Sequence, residues 1–240
     1  MPDFSQVEYI SFDCYGTLID WESGILGYFR PLLQRKNRHV SDGEILDRYS
    51  EYEPRNQQVY KPYRDVLAGV VRDFGTQFNF EVSSEEAVGL ARSIRGWRPF
   101  PDTVPALQRL KTRYKVAVLS NIDDNLFALT APKLGVELDL VITAQQVQSY
   151  KPSLRNFETL LQHLPVDKRR LLHAAESLYH DVVPAHTLGI LTAWVNRRQG
   201  KASAATKLVA AQPDIEVPTV GALVDLLVGH SSGEADGVTL

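Results

Sequence analysis

Cysteine is nearly absent from this sequence. Cys14 is the only one in 240 residues, so no intrachain disulfide can form, and the usage fits a reducing compartment. Long apolar runs are missing as well. Nothing approaches the ~20 residues that a membrane helix needs, and MPDFSQVEY at the start lacks the basic stretch and apolar centre of a secretory signal. Nor is either charge in excess. The 26 Lys and Arg against 29 Asp and Glu give a net charge of −3, which removes the electrostatic case for nucleic acid or an anionic membrane surface as a partner. Short basic stretches at Arg35, Lys36 and Arg38, at Lys168, Arg169 and Arg170, and at Arg197 and Arg198 read as solvated helix faces and loops. These absences predict a soluble, cytoplasmic protein.

What is present has the make-up of a globular chain: 44% hydrophobic and 23% charged residues, with length for one sizeable core and a smaller second module. Residues 7–12 (VEYISF) form a short apolar run rich in β-formers that ends at Asp13, before Gly16 and Thr17 break it. Residues 115–119 (KVAVL) repeat the arrangement and lead into Ser120 and Asn121. Further runs of this kind are 138–143, 171–175 and 190–195. Helix-like segments at 104–112, 124–134, 154–164 and 182–188 lie between them. The alternation predicts an α/β fold, a doubly wound Rossmann-like parallel sheet covered on both faces. A ligand in such a sheet sits beyond the carboxyl ends of the strands.

Residues 21–97 interrupt the alternation with helical periodicity and no strand. Tyr49, Tyr52, Val59, Tyr63, Val66, Leu67, Val70, Val71 and Phe74 recur at helix spacings, as the inner face of an all-helical insert would. The expected organisation is a core of residues 1–20 and 98–229, with a small helical cap, 21–97, inserted after the first strand. Arg98-Pro99-Phe100-Pro101 would be the hinge back, and 230–240 a disordered tail.

The chemistry concentrates in Phe12-Asp13-Cys14-Tyr15-Gly16-Thr17-Leu18. An aspartate at the end of a buried strand, followed by a glycine-containing loop, can act as a nucleophile through an acyl-type intermediate that water then hydrolyses. Taken one at a time, Asp13, Ser120-Asn121, Lys151-Pro152 and the acidic Glu176 to Asp181 stretch are also ordinary turn and capping chemistry. In this order, each at a strand end or nearby loop, they resemble the four motifs of the haloacid dehalogenase superfamily. The resemblance covers nearly the whole chain and is nearest to the (S)-2-haloacid dehalogenase branch. It implies Asp13 as nucleophile, Ser120 and Asn121 holding the departing group, Lys151 balancing negative charge, and Asp181 closing the fourth motif.

Two departures from that pattern pull in opposite directions. The phosphatases of the superfamily carry a second aspartate two residues after the nucleophile, as the acid for the leaving oxygen. Here that position is Tyr15, a phenol with a pKa near ~10, and a departing halide needs no proton. The fourth motif of the dehalogenases carries small polar residues where this chain has Glu176 and Leu178. A carboxylate at 176 would let Asp13, Glu176 and Asp181 hold Mg2+, a hard cation that prefers oxygen ligands. The tyrosine that follows the dehalogenases' third-motif lysine falls on Phe157. The substrate-gripping cap arginine has two candidates, Arg55 and Arg48, since arginine can hold a carboxylate with two parallel hydrogen bonds.

The expectation is therefore a hydrolase acting on a small anionic molecule, first of all a 2-haloacid. Its catalytic set would be Asp13, Lys151, Asp181 and Ser120, with Tyr15, Thr17, Asn121, Arg55 and His180 around the substrate. No cofactor is expected for a dehalogenase. A Mg2+-dependent phosphatase or phosphonatase-like hydrolase is the alternative, and a non-catalytic binding protein on the same fold the third reading. A homodimer is compatible with each. Cys14, one residue along from the nucleophile, points to the opposite face and reads as a small core residue.

Overall fold

A computed structural model describes residues 4–198 and 210–229; the tail expected at 230–240 lies outside the described residues. Six strands form one parallel sheet in the order β3-β2-β1-β4-β5-β6. They are β1 Tyr9–Phe12, β2 Lys115–Ser120, β3 Leu140–Thr143, β4 Leu171–Ala175, β5 Leu191–Val195 and β6 Ile215–Val217. The order reverses between β1 and β4, which pair in parallel with Phe12 opposite Ala174. A crevice at the strand ends is expected at such a reversal.

Four helices follow β1: α1 Trp21–Arg35, α2 Asp42–Asn56, α3 Tyr63–Gln77 and α4 Ser84–Ser93. Six more belong to the sheet: α5 Thr103–Leu110, α6 Asp124–Phe127, α7 Ala144–Val147, α8 Leu154–His163, α9 Val183–Thr187 and α10 Val220–Val228. Alternation along β2 sorts the layers. Val116 and Val118 pack with α5 and α10 residues such as Leu107 and Leu223. Ala117 and Leu119 pack with Phe157 and Leu160 of α8 and Ala185 of α9. Both faces of the sheet are thus covered, and no described helix is long and apolar enough to cross a membrane.

The inserted helices have local reasons to form. Asp20 caps α1 through Ser23 N, Ser41 caps α2 through Glu44 N, and Ser83 with Glu86 closes a capping box on α4. Their inward positions supply Phe29, Tyr49, Tyr52, Val70 and Phe74, all buried. Phe29 and Phe74 stack with centroids 3.9 Å apart. Val59 departs from the expected inner face: it lies in the turn between α2 and α3 and is 79% exposed.

The sheet side fastens this cap at main-chain groups. The Asp123 carboxylate, in the loop after β2, accepts from Tyr63 N at 2.7 Å and Arg64 N at 3.0 Å, serving the first turn of α3 in place of a local cap. Lys133 Nζ donates to Arg95 O at 2.7 Å and Trp97 O at 2.8 Å, beyond the end of α4. An anion at a helix start and a cation at a helix end both complement the backbone dipole.

Three expectations shift. The strand β6 was not anticipated, being three residues between Pro213 and Pro218. The helix expected at 124–134 divides into α6 and a 3-10 turn, Ala131–Leu134, with Pro132 at its start. The helix expected at 182–188 is α9, entered through a wide turn, Leu178–Val182, whose start is capped by Ser177.

Replacing Asp123 with alanine leaves the buried N–H of Tyr63 and the part-buried N–H of Arg64 without their acceptor, so unfolding in urea should show a loss of about 1–2 kcal/mol. Amide hydrogen exchange at Tyr63 and Arg64 should accelerate. Unchanged protection there would refute the cross-layer cap.

Candidate active site

Asp13 leaves the tip of β1 still tied to the sheet, its N–H donating to Ala174 O at 3.2 Å. The chain then turns tightly. Gly16 has φ +99, and a Cβ there would meet Trp21 Nε1 at 3.0 Å, which is why glycine stands at this point. The turn brings Thr17 back onto Asp13: its hydroxyl donates to Asp13 Oδ2 at 2.8 Å and accepts from Glu176 N at 2.9 Å.

On the other side of Asp13 lies Lys151, 2% exposed. Its ammonium donates to Asp13 Oδ1 at 2.9 Å, to Asp181 Oδ1 at 2.6 Å and to Leu119 O at 2.9 Å. All three N–H donors are engaged. Asn121 fixes this lysine by its main chain, with Oδ1 accepting from Lys151 N at 2.7 Å and Nδ2 donating to Lys151 O at 3.0 Å. Asp181 Oδ1 also lies 2.9 Å from Nε2 of His173, whose Nδ1 meets Ser11 Oγ at 2.8 Å. Strands β1, β2 and β4 therefore meet in one buried chain of polar contacts.

The electrostatics follow from burial. Desolvation, with Asp181 adding to it, pushes Asp13 above the ordinary carboxylate range while Lys151 and Thr17 pull against it. Desolvation acts on Asp181 too, but Lys151 and His173 outweigh it and hold that carboxyl below the usual range. Burial opposes the lysine's charge, yet the two aspartates more than offset it and raise its pKa. Each oxygen of Asp13 accepts a hydrogen bond, an arrangement that suits the ionised form.

Above this group, between the cap and the strand ends, is a cavity of about 40 Å³ that Asp13, Ser120, Lys151, Asp181, Tyr63 and Glu53 help to line. Two polar atoms of its wall, Ser120 Oγ and Asp181 Oδ2, are buried with no partner among the described residues. Unpaired buried polar atoms in a wall mark where a ligand or water sits.

A sequence profile of the haloacid dehalogenase-like hydrolases matches residues 7–182. The chain belongs to that family. It is 31% identical over 201 residues to (S)-2-haloacid dehalogenase 4A of Burkholderia cepacia, across 78% of this chain and 82% of that one. It is 25% identical over 232 residues to (S)-2-haloacid dehalogenase of Pseudomonas sp. (strain YL), across 90% and 93%. The solved L-2-haloacid dehalogenase from Xanthobacter autotrophicus with chloropropionic acid covalently bound has the same fold, with TM-score 0.78 at 20% identity over 93% of this chain and 99% of that one.

As a haloacid dehalogenase-like hydrolase, the protein brings Asp13, Ser120, Asn121, Lys151, Asp181, Tyr15 and His180 to one cavity. Thr17 works behind Asp13. Tyr15 donates to or accepts from Thr130 Oγ1 at 2.8 Å, and burial pushes its phenol well above the ordinary value, so it keeps its proton at neutral pH. Burial pushes His180 down to about 4, leaving a neutral ring.

Two expectations are corrected. Glu176 does not join Asp13 and Asp181. Its carboxylate meets Arg198 Nε at 2.7 Å and lines a separate surface groove with Arg197 and Arg198. The residues therefore do not fit Mg2+: the two remaining aspartates are already bridged by the Lys151 ammonium. Among the described residues no group of three His, Cys, Asp or Glu could hold a metal ion. Arg55 does not reach the cavity either. It pairs with Asp73 Oδ2 at 2.8 Å and is half exposed, while Arg48 pairs with Glu51. On the same helix Glu53 is buried on the inner face, and a residue two positions on turns away.

His173, Glu53, Trp21, Tyr63 and Ser177 were not anticipated at the site. His173 had a visible signal, a lone ionisable residue inside the apolar run 171–175.

Lys151→Met leaves two buried carboxylates without their cation and should cost about 3–5 kcal/mol. The loss should shrink as pH falls, because protonation neutralises them. A denaturation series at pH 5 and pH 8 checks both; equal losses would contradict the coupling.

Proposed function

We propose that this hydrolase cleaves a carbon–halogen bond in a small 2-haloalkanoic acid through an ester on Asp13. The observation that carries this is the Lys151 ammonium bridging Asp13 and Asp181, with Glu176 held away by Arg198. The nucleophile is thereby charge-balanced by a side chain of the protein itself. Similarity to (S)-2-haloacid dehalogenases supports the same reading.

An Asp13 oxygen attacks the carbon bearing the halogen, and halide departs with the bonding pair. Nothing must be protonated in that step, which fits a Tyr15 that is hydrogen-bonded to Thr130 and retains its proton. Lys151 and Thr17 keep the carboxylate oriented. Water then attacks the Asp13 carbonyl carbon. Asp181 Oδ2, unpartnered in the cavity wall, accepts a proton from that water. The tetrahedral intermediate expels the 2-hydroxyacid's oxygen, which takes up the proton. Lys151 stabilises the oxyanion; the second proton of that water then leaves Asp13 for solvent, and Asp13 returns as a carboxylate carrying one oxygen from water.

Purified protein should release chloride from (S)-2-chloropropionate with EDTA present, and Asp13→Asn should lower the rate by about a thousandfold or more. A single turnover in ¹⁸O-water should place label in Asp13. Absence of chloride release by the wild type would overturn the assignment, and unlabelled Asp13 would exclude the ester route.

A further inference from the structure

The cavity's ceiling poses a problem of charge. Lys151 is the single cation among the described residues that line it, and its three donors are all taken. Asp13 and Asp181 outnumber it. A substrate carboxylate entering this space would find no free cation among those lining residues, and Arg48 and Arg55 of the cap pair elsewhere. What the cap does present is Glu53, 5% exposed and lining the cavity opposite Asp13, Lys151, Asp181 and His180. Its Oε1 accepts from Gln57 Nε2 at 2.7 Å and from Tyr63 OH at 3.1 Å. Tyr63 OH also lies 3.1 Å from Tyr49 OH. Both hydrogen bonds end on Oε1, so Oε2 is the oxygen left for a ligand.

We propose that the cap recognises the substrate through Glu53, whose Oε2, as a carboxylic acid, donates a hydrogen bond to the carboxylate of the 2-haloacid. The inference rests on the reading of Asp13 as the halide-displacing group, and it names a contact that the sequence pattern had assigned to an arginine. Burial raises Glu53 to about 7, against the opposing hydrogen bonds from Tyr63 and Gln57. The titratable groups packed around it are Tyr49 on its own helix, Tyr63 on α3 and Tyr150 from the sheet side, each pushed upward by its own burial. These phenols stay neutral, so none of them supplies a charge that would ionise Glu53. An anionic ligand beside it raises its pKa further, and a hydrogen bond from an acid to a carboxylate is of the strong, charge-assisted kind.

The sign of the pH dependence follows. Ionising Glu53 removes the donor and adds a like charge, and both effects weaken binding. Affinity for the anion should fall as pH rises past Glu53's pKa, by up to tenfold per unit. A gripping arginine would produce no such change in this range.

The test compares wild type with Glu53→Gln, whose amide N–H is a donor at every pH. KM for (S)-2-chloropropionate should climb between pH 6.5 and about 9 in the wild type, with the change in KM and not in kcat, and the profile should be flat in Glu53→Gln. Calorimetric binding of propionate to Asp13→Asn, with and without Glu53→Gln, repeats the comparison without turnover. It separates a failed contact from a failed reaction. Melting curves check the fold independently: Glu53→Gln should gain on the wild type between pH 5 and pH 8, because only the wild type must ionise a buried acid. A flat wild-type profile in both KM and propionate binding, or a Glu53→Gln variant that keeps the wild-type slope, would overturn the proposal.

Discussion

An almost fully buried ammonium group with three filled donors is expensive to bury unless its partners are as fixed as it is. Lys151 meets that condition because Asp13, Asp181 and the Leu119 carbonyl come from three different strand ends. Each carboxylate needs the lysine as much as the lysine needs them, so β1, β2 and the turn after β4 must be in register together before any of the three charges is satisfied. Asn121 and His173 are the outer members of the same arrangement, one holding the lysine's main chain and the other an Asp181 oxygen. The sheet's strand order makes this possible by placing β1 centrally, with β2 on one side and β4 on the other.

Much of this could be read from the residues alone, and the reason is geometric. In a parallel α/β sheet the site must lie where strands end, so Asp13, Ser120 and Asp181, each at or just beyond such an end, announce themselves once the strands are recognised. Lys151 was found only by its place in the order of motifs. What was not legible depended on where side chains point. Glu176 has the right chemistry for a metal ligand, but Arg198 lies within 2.7 Å and takes it away from the cavity, a partner more than twenty residues distant. Arg55 lies on the same helix as Glu53 but faces the surface, where Asp73 pairs with it.

Glu53 shows the same limit from the other direction. In sequence it is one acid among several in α2, between Tyr52 and Pro54. Only packing against Tyr49 and Tyr63 reveals that it is buried, and only the cap's position over the sheet turns a buried acid into a wall of the cavity. β6 was missed for a simpler reason: three residues between prolines carry too little pattern to declare a strand.

The cap's attachments have one further implication. Asp123 binds Tyr63 N and Arg64 N, Lys133 binds the Arg95 and Trp97 carbonyls, and Tyr150 OH donates to Lys61 O. On the cap's side every one of these partners is a main-chain group, which any amino acid except proline at a donor position would provide. Exchanging a side chain that looks into the cavity therefore leaves these hydrogen bonds in place. Such a mounting lets selection revise what the protein accepts while the machinery beneath, tied together by charge, stays as it is.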